Sequence, residues 1–335
     1  MLRLHSYRYH RPAALADALA LLAEHGPTAM VMAGGTDLMP NMKHRLFTPD
    51  HVVALKGVAE LRGIEEREGE LRLGAAETLA AVSRSALVRA WLPALARAAG
   101  LVAGPQLRNM GTIGGNICLD TRCTYYNQTE FWRSALGFCL KKDGTVCHVT
   151  KVGRKCVAAH SADTPPVLMT LGAVLDLASP RGTRTVPVAD FFVADGVRNT
   201  VRAADEVVTS VRAPLPGPGS RAGFEKLRQR GAIDFPLLNV AVALELEGDV
   251  VASLRVVVSA LGARPRFIGG LEKLAGERPD AALLEAVARR ALDQAHPLEN
   301  ITVDTEWRRA MVPVLVRRAL AQALAGPPGG PPPTG

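Results

Sequence analysis

Residues 108–120 read RNMGTIGGNICLD, a glycine turn running into an apolar stretch. Gly111, Gly114 and Gly115 lack a Cβ, so the backbone there can take positive φ and approach a ligand closely. Successive N–H groups in such a turn form a concave anion site, and Thr112 and Asn116 offer side-chain hydrogen bonds beside it. A second turn lies upstream in TAMVMAGGTDLMPNMKHRL (28–46). It predicts a strand at 29–33, a Gly34–Gly35 turn, and a helix capped by Thr36 or Asp37. A strand, a glycine turn and a helix N-terminus together attract anions, because unpaired N–H groups and the helix dipole point the same way. G-x-G-x-x-G is absent, so this is not the Rossmann fingerprint. Two glycine turns suit a dinucleotide, whose one pyrophosphate can be held from opposite sides.

Directly after the 111–116 turn come Cys123, Cys139, Cys147 and Cys156, four thiols within 34 residues and without a C-x2-C pair. Ligands gathered in this way from a long loop fit an iron–sulfur cluster, a zinc ion or two disulfides. Cys118 precedes them on a predicted strand and reads as a buried, inert thiol. Seven basic residues accompany the cysteines (Arg122, Arg133, Lys141, Lys142, Lys151, Arg154 and Lys155) against Glu130 and Asp143 alone. They read either as a solvated face or as compensation for thiolates and a dock for an acidic carrier. Tyr125, Tyr126, Phe131 and Trp132 are expected to pack over the thiol site, and His148 to be an exposed loop histidine.

At 335 residues the chain can build two or three cores. Its 48% hydrophobic and 21% charged residues are ordinary for a globular protein. No apolar run reaches membrane-spanning length, and MLRLHSYRYHRP lacks the apolar core of a secretion signal, so a cytoplasmic location is expected. A net charge of +8 raises the question of nucleic acid, but the basic residues are dispersed and aromatics make up only 4%. No nucleic-acid partner is expected.

Along the chain, 13–25 predicts a helix ending at Gly26, and 51–55 a strand that completes a small parallel sheet. Residues 62–75 read as a hairpin, 78–86 and 89–100 as helices, and 164 onward as a helix followed by strands at 173–178, 183–187 and 206–212. The segment 213–223 reads as a linker. Three strands then precede helices at 265–275, 280–295 and 303–325, with a hairpin turn at Gly248–Asp249. The tail 326–335 is low-complexity and expected to be disordered. Four regions follow: a first subdomain (1–57), a second (58–218) carrying a cysteine loop at about 121–161, a C-terminal domain (219–325) and the tail.

In combination, AGGTDL (33–38), TIGGN (112–116), Asp163 before a proline-rich helix start, FEKLRQR (224–230) and LGARPRF (261–267) resemble the flavin-binding subunit of molybdenum hydroxylases, the xanthine and carbon monoxide dehydrogenase group. The resemblance implies an α+β fold: a two-subdomain FAD-binding domain plus a C-terminal α/β domain of the carbon monoxide dehydrogenase flavoprotein type. It implies FAD bound in extended form, with its pyrophosphate near Val31, Met32, Ala33, Gly34, Gly35, Thr36, Asp37 and Leu38. Thr112, Gly114, Gly115 and Asn116 would face that segment. Asp163 would bind the ribose or adenine side, and Lys226 would lie near the flavin ring.

The cysteine loop is similar to the insertion of the 4-hydroxybenzoyl-CoA reductase β subunit, which implies a [4Fe–4S] cluster on Cys123, Cys139, Cys147 and Cys156. The function so implied is electron transfer from a ferredoxin-like carrier through the cluster and FAD to a [2Fe–2S] small subunit and a molybdopterin large subunit, in a hetero-oligomer. There, reductive dehydroxylation would yield benzoyl-CoA, with no catalytic residue on this chain. The alternatives are the FAD subunit of another molybdenum hydroxylase and a zinc-stabilised scaffold without redox chemistry.

Overall fold

The computed structural model describes residues 2–150 and 153–326. Three sheets follow one another along the chain. The first comprises β1 (Arg8–His10), β2 (Ala29–Met32) and β3 (His51–Ala54), parallel and ordered β1-β3-β2. Helices α1 (Leu15–His25) and α2 (Leu38–Lys43) connect them. Ala18 and Leu22 of α1 pack with Val53, Leu55 and Leu61 on one side, and Leu38 and Met42 of α2 pack with Val52 on the other. Two helices on two faces are what a parallel sheet needs to keep both faces dry. β1 is a strand that sequence periodicity missed, since three residues carry too little alternation.

The second unit starts with the hairpin β4 (Ile64–Arg67) and β5 (Glu70–Gly74). The helices α3 (Leu79–Arg84), α4 (Ala86–Trp91), α5 (Pro93–Leu101), α6 (Pro105–Arg108) and α7 (Ile113–Ile117) follow. After α8 (Glu130–Leu136) in the cysteine loop come α9 (Thr164–Thr170), β6 (Val174–Ser179), β7 (Gly182–Pro187), α10 (Val188–Phe191) and β8 (Val207–Pro214). The strands form an antiparallel sheet ordered β4-β5-β8-β6-β7.

The third unit holds β9 (Ser220–Leu227), β10 (Leu238–Glu247), β11 (Val250–Ser259) and β12 (Arg266–Phe267), antiparallel in the order β12-β11-β10-β9, with α11 (Ala281–Gln294) and α12 (Thr305–Ala325). Residues 238–244 of β10 are all buried. Val240 and Val242 belong to the core under α11 and α12, whereas Ala241 joins Phe224 and Val257 in the core of the second unit. Alternate side chains of one strand therefore cement two units together. Arg308 of α12 is fully buried and donates to the carbonyls of Leu237, Leu298 and Ala260, and burial lowers its pKa to about 10.

Several expectations are corrected. Residues 265–275 are not an α-helix but β12 followed by a single 3-10 turn, because Gly270 adopts φ 78 and interrupts any helix there. The proposed linker 213–223 shrinks to 215–219, since β8 runs to Pro214 and β9 begins at Ser220. Residues 113–117 form α7 rather than an open turn, and Cys118 ends that helix instead of lying on a strand. Apart from Gly326, the tail 326–335 lies outside the described residues, as does Lys151 in the cysteine loop.

Candidate flavin and thiol sites

Between the first two units lies a cavity of about 760 Å³. Its wall includes Val31 and residues 33–38 from the first unit, and Thr112, Gly114, Gly115, Asn116 and Asp163 from the second. The two glycine segments touch: a Cβ on Gly34 would stand 1.9 Å from the Met110 carbonyl oxygen. Met32 lies outside the wall and packs its sulfur toward Gly35.

The two segments differ in what they can donate. Among the described residues, the N–H groups of Gly34, Gly35, Thr36 and Asp37 have no acceptor within the chain, although they adjoin the cavity. In the second segment, Ile113 N–H donates to Glu77 O, Gly114 N–H to Ala75 O and Gly115 N–H to Thr112 Oγ1. The anion cradle expected at 111–116 is thus largely closed on itself, because Thr112 caps α7. The Asn116 side chain is also engaged, accepting from the backbone N–H and hydroxyl of Thr164. It joins α7 to α9 instead of reaching outward.

Asp37 stands at the start of α2 without capping it. Its carboxylate accepts from Arg122 at 3.0 Å and from Asn41 at 3.0 Å. Burial raises its pKa, and the Arg122 guanidinium opposes that rise. Arg122 in turn lies over the Phe235 ring at 3.9 Å, so a loop from the third unit reaches the cavity wall. Sequence reading missed Arg122 in this role and missed Phe235 altogether. Neither has a local motif.

Asp163 is held from two sides. Lys226 Nζ donates to Oδ2 at 2.6 Å, and Asn239 donates to Oδ1 at 3.0 Å. Lys226 and Asn239 are register partners on β9 and β10, which is why both reach one carboxylate. Burial raises the Asp163 pKa, with the Lys226 ammonium acting against it. Lys226 also donates to Leu101 O and is absent from the cavity wall. Its charge neutralises Asp163. Cys118 is half-buried on the cavity wall, with burial holding its thiol protonated against the opposing charge of Arg202.

Cys123, Cys139, Cys147 and Cys156 are all buried, all free thiols, and line one small cavity. No three of these sulfurs lie within 4.8 Å of one another among the described residues. Tetrahedral zinc, with bonds of about 2.3 Å, would bring its sulfurs to about 3.8 Å apart. A multi-iron cluster separates them further, since each sulfur binds a different iron.

Burial raises Cys123 to about 11, against the Tyr125 N–H, and the neighbouring thiols add to the rise. Burial acts the same way on Cys147, but the Thr150 hydroxyl and the N–H groups of Thr150, Val149 and Val157 outweigh it and leave this thiol below its ordinary range.

Of the aromatics expected over the thiols, Tyr125 and Tyr126 line the cavity, but Phe131 is 84% exposed and Trp132 39% exposed on α8. The amphipathic turn of α8 buries Arg133 instead, which donates to the carbonyls of His44, Arg45 and Gln128. His148 is half-buried, bonded to Phe138 O at 2.6 Å, and lines the same cavity, so it is not a free loop side chain. The basic cluster also divides: Arg122, Arg133 and Lys141 turn inward, leaving Arg154 and Lys155 exposed.

These features define a dinucleotide-binding α+β protein of the flavin type. Residues 5–216 match the family of FAD-binding domains in molybdopterin dehydrogenases, and residues 222–323 match the carbon monoxide dehydrogenase flavoprotein C-terminal domain. The chain is 30% identical to the carbon monoxide dehydrogenase medium chain of Hydrogenophaga pseudoflava, over 95% of this chain and 97% of that one. It is likewise 30% identical to a putative xanthine dehydrogenase FAD-binding subunit of Escherichia coli, over 96% and 97%. The solved structure of the Hydrogenophaga carbon monoxide dehydrogenase lacking the Mo-pyranopterin moiety superposes with a TM-score of 0.80 at 28% identity, covering 96% of this chain and 99% of that chain. The chain belongs to the family of FAD-binding medium subunits of molybdenum hydroxylases. No helix among the described residues is long and apolar enough to cross a membrane.

Proposed function

We propose that this subunit holds FAD in the 760 Å³ cavity and a [4Fe–4S] cluster on Cys123, Cys139, Cys147 and Cys156, and that it relays electrons between an external one-electron carrier and its partner subunits. The observation that carries the reading is the convergence of four buried, unpaired thiols on one small cavity beside the flavin cavity. FAD exchanges electrons singly or in pairs, and an iron–sulfur cluster moves them one at a time. The free N–H groups of residues 34–37 bind the pyrophosphate, Arg122 fixes Asp37 beside it, and Asp163, braced by Lys226 and Asn239, orients the nucleoside end. Around the thiols, Tyr125 and Tyr126 exclude water, and the exposed Arg154 and Lys155 offer an acidic ferredoxin-like carrier a docking point. The partners are a [2Fe–2S] small subunit and a molybdopterin large subunit.

The four-thiol insertion favours 4-hydroxybenzoyl-CoA reductase as the complex, with reductive dehydroxylation on the large subunit. The full-length similarity to carbon monoxide and xanthine dehydrogenase subunits favours a hydroxylase that carries the same extra centre. Anaerobic purification with assay of iron, acid-labile sulfide, zinc and FAD tests the relay. About four irons and four sulfides per FAD are expected. FAD with neither iron nor sulfide after reconstitution reduces the chain to a flavin subunit alone, and stoichiometric zinc without flavin removes the redox account. Turnover of the assembled complex with 4-hydroxybenzoyl-CoA, xanthine or carbon monoxide decides the substrate.

A further inference from the structure

We propose that His10, His25 and His51 form a second metal site, for a divalent first-row transition ion of the zinc type held by neutral imidazoles. Their ligand nitrogens all lie within 4.8 Å of one another, the one such group of three among the described residues. The three come from different elements: the last residue of β1, the last residue of α1 and the first residue of β3. All three are half-buried, so they are placed by the fold rather than displayed on a mobile surface.

The donor set decides the class of ion. Three imidazoles without a carboxylate suit zinc, copper or nickel and disfavour magnesium and calcium, which want oxygen. Three protein ligands leave a coordination position for water. His25 closes the C-terminal turn of α1, where the helix dipole favours a cation. Arg8 is the register partner of His51 and Asp50 precedes it, while the Glu24 carboxylate lies 3.9 Å from His25 Nε2, so two acidic groups and one basic group surround the imidazoles.

The three rings lie side by side. His25 and His51 stack with centroids 3.6 Å apart, and His10 Nε2 meets His51 Nδ1 at 2.9 Å, a contact that shares one proton. Binding replaces that proton with the ion. It also requires ring rotation about χ2, a broad torsion with low barriers.

The site ties α1 to β1 and β3 at the end of the sheet where β3 begins. The Gly34–Asp37 segment leaves from the opposite end, where β2 finishes. A bound ion therefore stiffens the sheet that carries the pyrophosphate-facing turn without touching the flavin cavity's glycines. The site uses nitrogen alone, which separates it from the cysteine cavity.

The test uses tag-free protein carrying its flavin and whatever its cysteines hold as purified. Zinc is titrated by calorimetry, followed by metal analysis after dialysis, and Co2+ serves as a spectroscopic reporter. One additional equivalent is expected, with a Co2+ spectrum free of thiolate charge transfer. His51→Ala and His10→Ala should each weaken binding by more than about 100-fold, since even outer-shell partners are worth 10–100-fold. FAD content should not change. His25→Asn gives the same reading if a strand variant fails to fold. Equal uptake in parent and variants, thiolate bands in the Co2+ spectrum, or no additional ion bound would each overturn the proposal.

Discussion

Lys141 Nζ lies 2.6 Å from Asp120 Oδ1, and this contact joins the walls of the two cavities. Asp120 lines the flavin cavity, whereas Lys141 lines the thiol cavity. Tyr126 completes the partition: its hydroxyl donates to Asp120 Oδ2 at 3.0 Å, and the Lys141 ammonium sits 4.6 Å from its ring centroid. Lys141 also donates to Thr121 Oγ1 and Gly196 O. One buried cation is thus shared between the two sites. Burial raises the Cys156 pKa, and the Ala158 N–H and the Lys141 charge oppose that rise.

Lys141→Met keeps the aliphatic stem and removes the charge. Breaking a largely buried pair from one side costs about 3 kcal/mol, which urea denaturation of the purified subunit would register. Any centre on the thiolates becomes harder to reduce without the cation, so its midpoint potential should move negative in a spectroelectrochemical titration. An unchanged potential would detach Lys141 from the thiol site and leave it a structural role only.

Gly34→Ala should cost both stability and flavin. The new methyl would stand 1.9 Å from the Met110 carbonyl, a backbone atom that cannot step aside alone. The turn bearing the free N–H groups must then move off α6 and α7. FAD per polypeptide is expected to fall several-fold, read from absorbance after gel filtration. Gly217→Ala, where nothing lies within 4 Å, is the control and should retain full flavin.

His160 ties stability to pH. Its ring is fully buried, neither nitrogen has a hydrogen-bond partner, and its edge meets Phe192 at 4.7 Å. Burial lowers its pKa to about 3 from the ordinary 6.5. The unfolded chain therefore binds a proton below pH 6.5 that the folded chain refuses until about pH 3. Stability conferred by the neutral ring is complete above pH 6.5 and is lost as pH falls, with a limiting slope of about 1.4 kcal/mol per pH unit. His160→Phe should flatten the pH dependence of unfolding in that window. If the slope persists, other groups carry it.

Much of the chain was legible because its signals are local. The strand–Gly-Gly–helix passage at 29–43, the hairpin turn at Gly248 and the proline-rich start of α9 are written in adjacent residues. What stayed hidden depends on partners far along the chain. Lys226 reads as a lone strand cation until Asp163, 63 residues away, is brought beneath it. The 111–116 segment reads as an open cradle until Ala75 and Glu77 accept its N–H groups. Phe131 and Trp132 read as core by type alone, but helix phase turns Arg133 inward and leaves them outside.

Gly196 is the least legible part of the thiol site, lying 40 residues beyond Cys156 and outside the cysteine loop. Its N–H donates to Cys156 O at 2.8 Å, and its carbonyl accepts from Thr121 and Lys141. A Cβ there would stand 2.7 Å from Cys156 Sγ and 3.0 Å from the Ala158 backbone nitrogen. Gly196→Ala must therefore push the sulfur away from its three fellows without changing any ligand. Iron and sulfide retention should fall several-fold, while FAD content should stay near one per chain. Loss of FAD together with iron would mean that the 196 loop supports the fold as a whole. Full iron retention would mean that Cys156 is not a ligand, and the four-thiolate site would have to be redrawn on the remaining three.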